Sequence, residues 1–145
     1  MNPRRTASAL IHYLFSQAFN QGDLTVIDAV MAVDGVTRTL SSGVTTGRIG
    51  FKHLIASIRT AFPDVHWTIE NEIAEGDQLA AYLTMRGTHR GTFLGHRPTG
   101  RAVDVQGTIF ARIEHGQLVE GWMLMDRLGL LQQLGVVPPP RDIQR

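Results

Sequence analysis

Asp126 is the residue of this chain whose neighbours most invite proton chemistry. It follows Trp122, Met123, Leu124 and Met125, where a strand from Leu118 to Met125 gives way to an amphipathic helix carrying Leu128, Leu130, Leu131 and Leu134. A carboxyl in apolar company is partly desolvated, which disfavours its charged form and raises its pKa toward working pH. Such a group can take a proton and return it, so Asp126 is the lead catalytic candidate. An Asp ahead of an apolar-periodic run is more commonly an N-cap that accepts a backbone N–H of the first turn. The two roles are compatible.

Other chemistry is poorly provided for. The histidines at 12, 53, 66, 89, 96 and 115 are scattered, with no HxH or HExxH pair to put two metal ligands on one face. No G-x-S-x-G elbow presents a nucleophile. The glycines at 87, 91, 95 and 100 follow a strand without opening a helix, which disfavours a dinucleotide or phosphate cradle. Cofactor-free and metal-free acid–base chemistry on a neutral, apolar organic molecule remains, or simple binding of one. Glu70, Glu72, Glu75 and Asp77 belong to a solvated hairpin. Gln106 and Arg112 fall on the side of the sheet expected for Asp126 and could orient a substrate oxygen, although such residues more often lie at a surface or dimer contact. Phe15, Phe19, Phe110 and Trp122 are core residues by default, and a pocket for a flat polycyclic ligand would use the same ones.

The elements that must position these groups are helices first and strands afterwards. Leu10, Ile11, Leu14, Phe15, Ala18 and Phe19 recur at helical spacing, and Asn20-Gln21-Gly22-Asp23 ends that helix. Asp23 can cap a short second helix through Leu24, Ile27 and Val30, followed by a brief strand from Val36 to Leu40 and a Ser/Gly/Thr-rich loop from Ser41 to Gly47. Phe51, Leu54, Ile55, Ile58 and Phe62 form the apolar face of a third helix that Pro63 stops. The period then changes to two, with a strand bearing Val65, Trp67, Ile69 and Ile73, a Glu75-Gly76-Asp77 turn and a return from Leu79 to His89. A glycine-rich connection from Arg90 to Arg101 leads to a strand from Ala102 to Ile113, and His115-Gly116 turns into the last one. This order is an α+β pattern. The sheet carries large apolar residues on both faces, yet three helices cover only one, which points to a symmetric dimer. The mixed face with Gln106, Thr108, Phe110 and Arg112 is expected to curve over the helices and enclose the pocket, with Leu118, Trp122, Leu124 and Asp126 sharing one side of the last strand.

Composition narrows the classes further. The 145 residues suggest a single domain with its core over about 7–135 and a loose proline-rich tail over 136–145. With 43% apolar and 19% charged residues and a net charge of +1, the chain is an ordinary globular one without a nucleic-acid footprint. No cysteine is present, and no apolar run approaches transmembrane length. A cytoplasmic protein with no membrane partner is the default expectation.

Three segments together resemble the SnoaL-like polyketide cyclases of the NTF2-like superfamily. They are FNQGDLTVIDAV, the long stretch from Gly50 to Arg101 containing GTHRGTFLGHRPTG, and IEHGQLVEGWMLMDRLGLLQQLG. The resemblance covers Phe19 to Gly135 and implies an α+β cone, with a curved antiparallel sheet wrapped on helices, a deep pocket and a homodimer. It further implies intramolecular aldol ring closure without metal or cofactor, by an aspartate at the strand-to-helix junction. Asp126 occupies that motif position, which makes the catalytic reading the stronger one. By position, Phe19, Leu54, Gln106, Arg112 and Trp122 would surround the substrate, with His89 at the mouth. Many members have a histidine after the first short strand, where this chain has Arg38 and Thr39. Epoxide opening, dehydration, isomerisation and binding without turnover therefore stay open as alternatives.

Overall fold

The computed structural model describes residues 6–39 and 44–141. Helix α1 (Ala7–Leu14) begins where the Thr6 hydroxyl accepts the Ala9 N–H at 3.1 Å. Its buried stripe of Ala7, Leu10, Ile11 and Leu14 continues into a wider π-helical segment over Phe15–Asn20, where Phe15, Ala18 and Phe19 are buried. Gly22, at φ +80°, makes the left-handed turn that ends it. Two polar groups fix this end in place. The Arg59 guanidinium donates to the carbonyls of Phe19 and Asn20 at 3.1 and 2.7 Å, taking up acceptors that the helix leaves unpaired. The Asn20 amide bonds both the N–H and the C=O of Trp67, at 2.7 and 3.0 Å, tying the helix to the sheet.

Helix α2 (Thr25–Val30) follows from Leu24, which makes no side-chain cap, while Asp23, expected to be the cap, lies one residue earlier and accepts the Thr25 N–H at 3.1 Å. The first strand, β1 (Met31–Thr39), starts five residues earlier than the sequence suggests, directly from α2. Leu40 and the first three residues of the expected loop, 41–43, lie outside the described residues. A short β2 (Val44–Thr46) pairs back on β1 before α3 (Arg48–Ala61), whose Phe51 and Ile55 are buried. The long strands β3 (His66–Glu75), β4 (Gln78–Thr88), β5 (Ala102–Glu114) and β6 (Gln117–Met125) form the expected meander, and α4 (Arg127–Gln133) closes the described fold.

The six strands make one curved sheet in the order β2-β1-β6-β5-β4-β3, antiparallel throughout except for the parallel β1–β6 pair. The α+β architecture is the one expected, with the helices gathered on one face. Which face they cover differs from expectation. Val103, Val105, Ile109, Ala111 and Ile113 on β5 are buried in one continuous core with Leu79, Leu83 and Met85 and with residues of α1 and α3. The mixed face with Gln106, Thr108 and Phe110 is the outer one, and these three residues are exposed. Burial of the fully apolar face removes more hydrocarbon from water and strands no polar side chain, so it wins. A register shift between Arg112 and Ile113 also separates Leu118, which is buried opposite Ile113, from Trp122, which pairs with Phe110 on the outer face. The expected common side for Leu118 and Trp122 is corrected by that bulge.

The glycine-rich connection is a structured strap. The N–H groups of Arg90 and Gly91 both donate to the Ala61 carbonyl at the end of α3, at 2.9 and 3.1 Å. The approach requires glycine, since a Cβ at 91 would overlap the Thr60 carbonyl. Farther along, Phe93 and His96 exchange backbone hydrogen bonds of 3.0 and 2.8 Å around Leu94 and Gly95, both at positive φ. Phe93 is thereby set against Phe62, with ring centroids 5.4 Å apart.

Candidate functional site

The space enclosed by α3, the inner face of the sheet, the strap and the start of α4 is a cavity in two adjoining chambers. The larger is about 230 Å³ and the smaller about 40 Å³, and Thr39, Leu54 and Met123 border both. The small chamber ends on the aromatic cluster of α1 and its π-helical extension, where Phe15 and Phe19 stack at 4.3 Å and Phe19 meets Phe51 edge-on at 5.7 Å. The large chamber is walled by Phe62, Trp67, Met85, Phe93, Val105, Met123 and Met125. Its polar lining residues are Thr39, Ser57, Thr92 and Arg127. The Ser57 hydroxyl donates to the Leu54 carbonyl at 3.1 Å, leaving its oxygen free to accept. Apolar walls with a few polar points suit an organic ligand.

Sequence and structure place the candidate residues differently in several cases. Phe19 borders the small chamber, and Leu54 borders both. Trp122 touches the small chamber, yet its ring packs with Phe110 at 5.3 Å and lies 5.4 Å from the Arg38 guanidinium on the outer face. Gln106 and Arg112 do not border the cavity. Both belong to the outer face, where Arg112 forms ion pairs with Glu114 and Glu120. His89 is not at the mouth but wholly buried at the base of the strap, its Nδ1 accepting the Thr99 N–H at 3.1 Å and its ring 5.5 Å from that of Phe62. The exchange of inner and outer sheet faces accounts for Trp122, Gln106 and Arg112, and the folding of the strap onto α3 accounts for His89.

Asp126 stands between two residues that do border the cavity, Met125 and Arg127, and does not border it itself. It is exposed rather than desolvated, and its Oδ1 accepts the Gly129 N–H at 2.9 Å as the N-cap of α4. Its own N–H donates to the Gln106 carbonyl at 2.9 Å, anchoring the strand-to-helix corner. Among the described residues no three His, Asp or Glu side chains converge as a metal site. The cavity residues that sequence reasoning missed are Met123, Met125, Ser57, Thr92, Phe93 and Arg127. The signal for the two methionines was parity, since they alternate with outer-face Trp122 and Leu124 and stand beside inward Ile109 and Gly107.

This architecture has recognisable relatives. The family model of the SnoaL-like polyketide cyclases matches residues 9–134, nearly the whole chain. The chain belongs to the SnoaL-like polyketide cyclase family. A curated member, the nogalonic acid methyl ester cyclase of Streptomyces nogalater, is 32% identical over 120 residues, covering 81% of this chain and 90% of that one. Among solved structures, AclR from Streptomyces galilaeus, a suggested hydroxylase, superposes with a TM-score of 0.83 at 28% identity over 94% of this chain and 85% of its own. IdmH from Streptomyces antibioticus, a suggested polyketide cyclase, has a TM-score of 0.82 at 30% identity over 90% and 99%. Membership in the SnoaL-like family accords with the NTF2-like cone and with a small-molecule ligand. No helix among the described residues is long and apolar enough to cross a membrane.

Proposed function

We propose that this SnoaL-like protein is a cofactor-independent cyclase that closes a ring in an apolar, polyketide-like molecule held in the two-chamber cavity. The observation that carries the reading is the large chamber itself, apolar on most sides, bordered by Phe93 of the strap and by the polar residues Thr39, Ser57, Thr92 and Arg127. Such walls fold a flexible chain so that its nucleophilic carbon meets its target carbonyl, which converts an improbable encounter into a positioned one. An aldol closure also needs a proton taken from the carbon between two carbonyls and a proton given to the new alkoxide. Asp126 is the proposed carrier of both, on the strength of its motif position and its place one residue from cavity-lining Met125 and Arg127. To reach a bound molecule its carboxylate must leave the Gly129 amide and turn past Met125.

A second reading is favoured by the cavity lining, which contains no carboxylate and no imidazole among the described residues. On that reading the protein binds the same class of molecule without turnover, and Asp126 is a helix cap alone. One substitution separates the two. Asp126→Asn preserves a good cap while removing the proton carrier. The cyclase reading expects conversion of a linear poly-β-ketone substrate to cease while its binding persists. An unchanged conversion rate would remove Asp126 from the mechanism. No conversion by the unsubstituted protein, with binding intact, would favour the binding module.

A further inference from the structure

We infer that Arg127 anchors an anionic oxygen of the bound molecule, so that the cavity selects a flat, conjugated acid: a carboxylate or a stabilised enolate on an apolar skeleton. This rests on the cavity being the ligand site.

Arg127 is the one ionisable residue that borders the large chamber among the described residues. Five arginines of the described fold are half-buried, namely Arg38, Arg48, Arg59, Arg112 and Arg127. Four of them have acceptors. Arg38 pairs with Glu120, Arg48 donates to the Met31 carbonyl at 2.9 Å, Arg59 donates to the carbonyls of Phe19 and Asn20, and Arg112 pairs with Glu114 and Glu120. Arg127 has none among the described residues, although Asp126 is adjacent in the chain and turns its carboxylate to Gly129 instead. A guanidinium partly withdrawn from water without an acceptor is destabilising, and an oxyanion from outside relieves that penalty.

The surroundings specify what kind of molecule brings the oxyanion. Met125, Met123, Phe93 and Trp67 present soft and aromatic surface to the same space. Sulfur and ring faces pack well on planar conjugated systems. Beside such walls the effective dielectric is lower than in water, so one charge-assisted contact discriminates strongly between an anion and its neutral isostere. Thr39, Ser57 and Thr92 add neutral polar contacts for the ketone oxygens of the same skeleton.

The test compares two probes of equal shape, 2-naphthoate and 2-naphthamide, by calorimetric titration of the full chain. The unsubstituted protein should prefer the naphthoate by ~tenfold or more, the scale of one charge-assisted contact. Arg127→Met should abolish that preference while leaving naphthamide affinity within about threefold. Arg127→Lys, which keeps the charge but not the fork, should recover part of it. Added salt should weaken naphthoate binding and spare naphthamide. Circular dichroism on each variant checks the fold. Equal affinity of the unsubstituted protein for both probes, or a preference that survives Arg127→Met, overturns the anchor while the cavity stands. Binding of neither probe at any accessible concentration overturns the cavity reading and the anchor with it.

Discussion

The Asp126 carboxylate and the Gly129 amide are a matched pair. Oδ1 accepts the N–H at 2.9 Å, and a Cβ at 129 would meet that same carboxylate, which would have to turn aside to make room. Asp126 is thus held to α4 by a local bond at the very corner where the cavity lining passes from Met125 to Arg127. Gly129→Ala should therefore gain less than the ~1 kcal/mol by which alanine is the better helix former, because the carboxylate must shift. Asp126→Ala should lose about 1 kcal/mol with the cap, and Asp126→Asn much less. Urea denaturation of the three variants measures the order; an Asp126→Ala variant as stable as the unsubstituted protein would show that the cap is dispensable.

Filling the cavity should separate binding from stability. Met123 borders both chambers, and Met123→Phe places a rigid ring in space a ligand needs. Because the volume is already empty, the expected change in stability is below ~1.5 kcal/mol. Affinity for a bound aromatic probe should drop by ~tenfold or more, about 1.4 kcal/mol. Fluorescence titration with an environment-sensitive naphthalene dye reads both changes in one sample.

Phe19 should behave in the opposite way. It is 1% exposed, stacks on Phe15 at 4.3 Å and meets Trp67 edge-on at 5.4 Å, so it belongs to the core as much as to the small chamber. Phe19→Ala should cost about 3–5 kcal/mol. A melting temperature close to that of the unsubstituted protein would mean that the aromatic cluster is not supporting the π-helical segment.

Asp64 gives the fold a small dependence on acid, kept small because the group is exposed to solvent. The Thr88 hydroxyl and then the Thr88 backbone N–H, both donating at 2.7 Å, hold its carboxyl below its ordinary value of 3.8. The unfolded chain therefore binds this proton more readily than the folded one. The stabilisation is present above pH 3.8 and is lost as pH falls through the lower folded value. Melting curves of the unsubstituted protein and of Asp64→Asn should differ near neutrality and converge below that window; curves that stay parallel to the acid end would refute the linkage.

The outer sheet face bears on assembly. Ile73, Tyr82, Phe110 and Leu124 are all more than a third exposed there, beside the half-buried Trp122 and the Arg38–Glu120–Arg112 ion-pair chain. An apolar sheet face rimmed by charges suits a second copy of the chain, and we propose a homodimer through it. Sedimentation should report a dimer that Phe110→Glu converts to a folded monomer. A monomeric unsubstituted protein at micromolar concentration would end this proposal.

Local chemistry was legible in the sequence wherever a residue acts on its chain neighbours. The Asp126 cap, the Asp23 contact ahead of α2, the stop at Pro63 and the turns at Gly76 and His115-Gly116 each follow from a few consecutive residues. The period-two pattern likewise specified four long strands, and the quoted motifs pointed to the family. Alternation, however, divides a strand into two faces without saying which one the helices cover. That choice belongs to the tertiary structure, because it depends on the summed burial of β3 to β6 against α1 and α3. It moved Gln106 and Arg112 outside, left Trp122 at the edge of the small chamber against Phe110 and brought in Met123, Met125 and Arg127. The strap was equally beyond reach of the sequence. His89 is buried there through its contacts to Thr99 and Phe62, and those contacts exist only once the strap has folded back on the end of α3.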